Sequence, residues 1–142
     1  MSVEENRRLV LEFIDTLVQQ DYDRLAGILS ESFTWIIPSR SKALEKLPLR
    51  RDKAFSLERM RANRDKQKEG MRLTPFAWTA EGDRVAVEAE GTIVWENGKV
   101  YNNLYHFAFV MRGGKIESLT EYTDFLYAWE TNPLLQGLKE AS

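Results

Sequence analysis

Residues 85–91 read VAVEAEG, and the run continues as TIVWENGKVYNNLYHFAFV to Val110. Its Val and Ala residues mark a buried strand, yet Glu88 and Glu90 stand at alternate positions within it. Strand side chains alternate between the two faces of a sheet, so both carboxylates point the same way. That face either meets water or lines a cavity that uses acid. Asn97-Gly98 is a strong hairpin signal, so the stretch predicts two long antiparallel strands, 84–95 and 100–111, folded back on one another.

A two-residue turn at Asn97-Gly98 pairs Glu96 with Lys99, which sets Glu90 opposite Tyr105 and Glu88 opposite Phe107. One face of the ribbon then carries Glu88, Glu90, Thr92, Tyr101, Asn103, Tyr105, Phe107 and Phe109. The other carries Val85, Val87, Ala89, Gly91, Ile93, Trp95, Leu104, His106, Ala108 and Val110. Water-facing surfaces seldom hold four large aromatics, and sealed cores seldom accept two carboxylates and an asparagine. Apolar walls with a few convergent polar groups suit a ligand pocket. A half-exposed face shielded by the first helix is the competing reading.

The strand after it, 115–124, depends on its turn. A two-residue Gly113-Gly114 loop sets Glu121 opposite His106, whereas a three-residue loop with a bulge sets it opposite Tyr105. The residues leave both open. In the second register Glu90, Tyr105 and Glu121 form a row across three strands, with the outer backbones roughly 10 Å apart.

Upstream the period is helical. Leu9, Val10, Phe13, Ile14, Leu17 and Val18 form one face of an amphipathic helix over 4–20. Asp21 caps a short second helix carrying Leu25, Ile28 and Leu29 inward, and FTWIIP at 33–38 suits a short strand. Residues 39–51 show no sustained period and read as an excursion or lid. Asp52 caps a third helix running to about Glu69, where Gly70 ends it. Strands follow at 71–80, 84–95, 100–111 and 115–124. Asp124 then caps a tail, 125–138, whose Leu126, Trp129 and Leu134 need burial. Helices first and antiparallel strands afterwards predict an α+β domain over 1–142, with helices packed on one face of a curved sheet.

At 142 residues the chain can bury a full core without disulfides or metal. It has no cysteine and one histidine, His106, so no thiolate metal site exists; neither metal nor cofactor is expected. Met1 leads straight into a charged helix with no apolar signal region, which reads as a soluble cytoplasmic protein with no membrane partner. Residues 42–72 hold 11 Lys/Arg against 5 Asp/Glu in a chain of net charge −2. With Phe55 as the segment's one aromatic, the excess reads as a solvated helix face and not a nucleic-acid surface.

The helix followed by QQDYDRLAGILSESFTW (19–35) and Pro38, then NGKVYNN (97–103) and GGKIESLTEYTD (113–124), resemble the SnoaL-like branch of the nuclear transport factor 2-like superfamily. Ketosteroid isomerase and limonene epoxide hydrolase belong to that group. The resemblance implies an α+β cone, three helices against a strongly curved sheet with a pocket between them, and a homodimer through the outer sheet face. Aligned on Gly98 and Gly114, the two catalytic aspartates of limonene epoxide hydrolase fall on Glu90 and Glu121, which favours the three-residue loop. The arginine between those aspartates falls on Glu88, a departure that sets this chain apart from that triad. The acid and base of ketosteroid isomerase fall near Phe13 and Ile37, and the paired histidines of scytalone dehydratase have no match beyond His106.

These readings imply acid/base chemistry on a small, largely apolar organic ligand. Glu90 acts as base, Glu121 as its acidic partner and Tyr105 as donor to a developing oxyanion. Asn103 orients substrate or water, Trp35 and Phe107 form the wall, and Glu88 and Tyr101 complete the binding set. In the opposing reading the domain binds without catalysis, and Glu88 and Glu90 hold a basic ligand or pair with Arg59, Arg61 or Arg64.

Overall fold

The first helix, α1 (Val3–Gln19), opens with a capping box in which Ser2 Oγ accepts from the Glu5 amide and Glu5 reaches back to the Ser2 amide. It stops where Gln20 turns left-handed, and Asp21 caps α2 (Tyr22–Ile28) by accepting from the Arg24 amide. Strand β1 (Leu29–Ile36) follows, then a single 3-10 turn at Lys42–Leu44, β2 (Arg50–Asp52) and α3 (Lys53–Arg64). Four strands complete the sheet: β3 (Gln67–Glu81), β4 (Arg84–Trp95), β5 (Val100–Arg112) and β6 (Lys115–Thr123). A last helix, α4 (Phe125–Thr131), is capped by Asp124, which accepts from the Tyr127 amide. The computed structural model describes residues 1–132 and Leu135. The predicted burial of Leu134 lies outside them.

The six strands run in the order β2-β1-β6-β5-β4-β3, all neighbours antiparallel except β1 and β6. Register shifts interrupt β3 at three places, and each extra residue bends the strand and sharpens its twist. The helices lie on one face of this open mixed sheet, an α+β cone as expected. Phe13 of α1 is fully buried there, edge-on to Phe109 of β5 with ring centroids 5.1 Å apart and tilted against Trp35 of β1 at 5.8 Å. Val10, Leu25, Phe33 and Leu119 close the same core.

Three expected boundaries move, the first being that Leu29, expected in the second helix, opens β1 four residues ahead of the expected strand. The third helix ends at Arg64, not near Glu69, because Gln67 pairs with Trp95 and the Lys66 carbonyl accepts from the Glu96 amide. Sheet pairing claims residues whose local propensity favours helix. Gly70 therefore lies inside β3. In the 39–51 excursion, Arg50 and Arg51 pair with β1, and Leu47 to Leu49 turn toward the concave face.

The hairpin register also differs from the two-residue reading. Trp95 N donates to Lys99 O and Gly98 N to Trp95 O, so the loop is Glu96-Asn97-Gly98, with Gly98 at φ +81°. One residue of slip reverses the face of a strand relative to its partner. Glu90 stands opposite Leu104 and Glu88 opposite His106, all four exposed on the convex face. The β4 residues that share the concave face with Tyr101, Asn103, Tyr105 and Phe107 are Val85, Val87, Ala89, Gly91 and Ile93.

Gly91 has a specific reason to lack a side chain. A Cβ there would sit 2.8 Å from Cε2 of Tyr105, whose ring is stacked at 9° on Phe107. Gly91→Ala must push that ring off its stack, and overpacking of this kind costs about 1–3 kcal/mol. Urea unfolding together with the near-ultraviolet circular dichroism of the aromatic cluster measures it; an unchanged spectrum at wild-type stability would contradict the close approach.

Candidate functional site

Between the concave sheet face and α3 lies a cavity of about 200 Å³. Its floor is aromatic: Trp35 from β1, Trp95 from β4, and Tyr101 and Tyr105 from β5. Leu49, Met60 and Ile93 add apolar walls, and α4 contributes Phe125 and Ala128 at the rim.

Glu121 of β6 faces into this space. The three-residue-loop reading expected this face, opposite Tyr105, but the structure reaches it by another register. The Gly113-Gly114 loop has two residues, both at positive φ, and pairs Arg112 with Lys115. A bulge at Glu117 then shifts the ladder by one, so Glu121 stands opposite Phe107 and shares its inward face. Burial of the carboxylate raises its pKa from 4.5 to about 7, a rise that the Arg51 guanidinium partly offsets.

The phenols of Tyr101 and Tyr105 stand near enough on this wall to influence one another's ionisation. Burial pushes both phenols above the ordinary range, and the nearby Glu121 charge adds to the effect. Asn103 is buried behind them. Its Nδ2 donates to Tyr101 Oη at 2.7 Å and to the Asp124 carbonyl at 3.1 Å, while its Oδ1 accepts from the Leu104 amide at 2.8 Å. Tyr101 Oη thus accepts from Asn103 and keeps its own hydrogen to give.

The structure brings together Trp35, Tyr101, Tyr105 and Glu121 on the cavity wall. Asn103 and Phe107 support that wall from behind, Phe107 as the partner of the Tyr105 stack at 5.1 Å. Glu88 and Glu90 are not part of it. They lie on the opposite face of the sheet, where Glu90 accepts from Asn102 Nδ2 at 3.0 Å, and pairing with Arg59, Arg61 or Arg64 does not occur.

Two cavity residues escaped the sequence reading. Arg51 and Arg59 belong to the basic segment taken as a solvated face, yet both line the cavity. The alternation of Leu49 and Arg51 was the available signal, since residues two apart in an extended segment share a face. Arg59 has no comparable signature. Burial lowers the Arg51 pKa, and the Arg59 charge lowers it further, but a guanidinium remains protonated at any cellular pH. Among the described residues no group of three or more His, Cys, Asp or Glu could hold a metal ion. No helix among them is long and apolar enough to cross a membrane.

A curved sheet closing on helices around one cavity is nuclear transport factor 2-like architecture. Within it, the chain belongs to the SnoaL-like domain family, whose pattern matches residues 10–119. Among solved structures it is similar to an LEH-like epoxide hydrolase from M. tuberculosis, at 19% identity over 96% of this chain and 93% of that one, TM-score 0.74. TerC co-crystallized with polyporic acid is similar at 20% identity over 89% and 96%, TM-score 0.74. A nuclear transport factor 2-like protein of unknown function from Burkholderia pseudomallei is similar at 18% over 92% and 97%, also at TM-score 0.74. No curated protein matches the chain. At these identities the likeness speaks to the fold alone.

The pKa of Glu121 has a stability consequence. The native state holds this proton up to about pH 7, while an unfolded glutamate releases it near 4.5, so stability falls as pH rises through that window. Each pH unit is worth about 1.4 kcal/mol, so the loss approaches about 3 kcal/mol by pH 8. Glu121→Gln is therefore expected to be more stable than wild type at pH 8 by up to that amount and little different at pH 5. Urea titrations at the two pH values test this, and the same difference at both would refute it.

Proposed function

We propose that the domain is an acid/base enzyme acting on a small, largely apolar organic molecule, with Glu121 as the proton-transferring group. The observation that carries this is a carboxylate, the one acid among the described residues of an aromatic cavity, its pKa raised to about 7. Such a group is ionised and protonated in comparable amounts at neutral pH, the condition under which a general base is efficient and regenerable.

The carboxylate takes a proton from an activated C–H or O–H of the substrate. Charge then develops on a substrate oxygen, which the free hydrogen of Tyr101 is disposed to meet, with Asn103 polarising it from behind. Returning the proton at another atom gives isomerisation; returning it to a leaving oxygen gives elimination or ring opening. Trp35 and the apolar walls orient the ligand body. The base role expected of Glu90 passes to Glu121, since Glu90 faces away from the cavity. That a similar chain is an epoxide hydrolase and another was crystallised with polyporic acid is consistent with small organic ligands in this architecture.

We also propose a homodimer through the convex sheet face. Leu104 and Tyr122, the latter opposite His106, stand 60% and 53% exposed on that face, more apolar surface than water favours. Sedimentation equilibrium is expected to show a dimer that Leu104→Glu dissociates; a wild-type monomer at micromolar concentration would reject it.

Turnover tests the catalytic assignment. Against a panel of cyclic enones, epoxides and polyketide-like aromatics, Glu121→Gln is expected to lose 10²–10⁴-fold in kcat. The wild-type kcat/KM should rise with pH through a limb near 7, following ionisation of Glu121. Full turnover by the Gln variant on a substrate that wild type converts would end the proposal.

A further inference from the structure

Charge is unevenly satisfied around the cavity. The five ion pairs among the described residues include Lys53 with Glu31, Arg61 with Asp23 and Arg64 with Asp65, so three of the cations of α3 have carboxylate partners on the protein surface. Arg51 and Arg59, the two that line the cavity, are in none of these pairs. Arg51 Nε donates to the Pro48 carbonyl at 2.8 Å, a neutral acceptor that fixes the guanidinium without cancelling its charge. The Arg59 guanidinium is close enough for its charge to disfavour that of Arg51.

The unpaired polar atoms of the cavity point the same way. Three buried side-chain atoms on residues lining it have no hydrogen-bond partner: Nε of Arg59 and the indole Nε1 of Trp35 and of Trp95. Trp35 and Trp95 are 8% and 4% exposed, so bulk water does not readily replace a partner for either. All three are donors. The other such atom, Asn6 Oδ1, is not on this wall. A site with surplus donors and two unpaired guanidinium groups is complementary to a ligand rich in acceptors and negative in charge.

We infer that the ligand of this cavity is a small organic anion, a carboxylate or acidic enol on an aromatic or alicyclic body, held at its oxyanion by Arg51 and Arg59. Among the described residues Glu121 is the one acidic group on the wall, and with it the two guanidinium groups still leave the cavity positive. Met60, Ile93 and the indole faces receive the body of the ligand, and the fork of an arginine matches a planar oxyanion with two parallel hydrogen bonds. This rests on the proposed use of the cavity as a ligand site, but not on Glu121 being catalytic.

Matched ligand pairs test the inference by isothermal titration calorimetry on the whole chain at pH 8. The probes are benzoate, 2-naphthoate, cinnamate and cyclohexanecarboxylate, each against its own carboxamide, which keeps the shape and removes the charge. At least one acid is expected to bind tenfold or more tightly than its amide, with a preference that shrinks as salt is raised. Arg59→Met and Arg51→Met, which keep an apolar stem, are expected to bring the ratio near one while leaving amide affinity in place. Arg59→Lys should restore part of it, and thermal melts establish that each variant is folded. If no acid in the panel binds better than its amide, or if the preference survives both Met variants, the inference fails. Amides binding as well as acids, with turnover still lost in Glu121→Gln, would remove the anion and leave proton transfer standing. An acid preference without turnover would leave an organic-acid-binding domain and remove the catalytic reading.

Discussion

Glu117 occupies the place where β6 carries one residue more than β5, and its two carboxylate oxygens accept from the hydroxyls of Ser30 and Ser32 at 2.8 and 2.9 Å. Those bonds hold its pKa below the usual carboxylate range and tie the bulge to the neighbouring strand β1. Everything distal to it on β6 inherits the shifted parity. Ile116 and Leu119 both face the core although they are three residues apart, and Glu121 faces the cavity with Thr123. On an unbulged strand Glu121 would stand on the convex face beside Glu88 and Glu90, and the cavity would hold no acid.

Placing a carboxylate there opposes stability. Desolvation disfavours its charge, and the structure keeps Arg51 near enough to soften the effect without closing an ion pair that would return the pKa to an ordinary value. The surrounding rings compensate by packing. Phe13 against Phe109 and Trp35, and Tyr105 on Phe107, make an aromatic spine from α1 to β5. One end of that spine is sealed core, and the other is the cavity wall that carries Tyr101 and Tyr105. Rigidity behind the site and unsatisfied donors in front of it are the arrangement expected where binding or chemistry takes place.

The elements themselves were largely legible. Caps at Asp21, Asp52 and Asp124 all occur where the spacing predicts them, and the four long strands agree with expectation to within a few residues. The inward aromatics of β5 were readable from composition alone. The parity of β4 against them was not, because Asn-Gly is compatible with a two-residue turn or with the last two positions of a three-residue loop. The difference lies in whether the Trp95 amide finds the Lys99 carbonyl. Arg59 was hidden for another reason: a helix rich in cations shows no sequence mark for the one that faces inward when its neighbours do not form a clear apolar stripe.

By itself the sequence determined the element order, the capping residues, the family and a pool of acidic and aromatic residues from which any site had to be drawn. These depend on local propensity and on patterns repeated along the chain. Only the tertiary structure decided which glutamate faces the cavity, that two arginines face it too, and that Glu88 and Glu90 do not. A face assignment has a period of two, so one residue inserted at a loop or bulge inverts it, and the interactions that place that residue come from other strands. For β6 the partners are Ser30 and Ser32, more than eighty positions away along the chain.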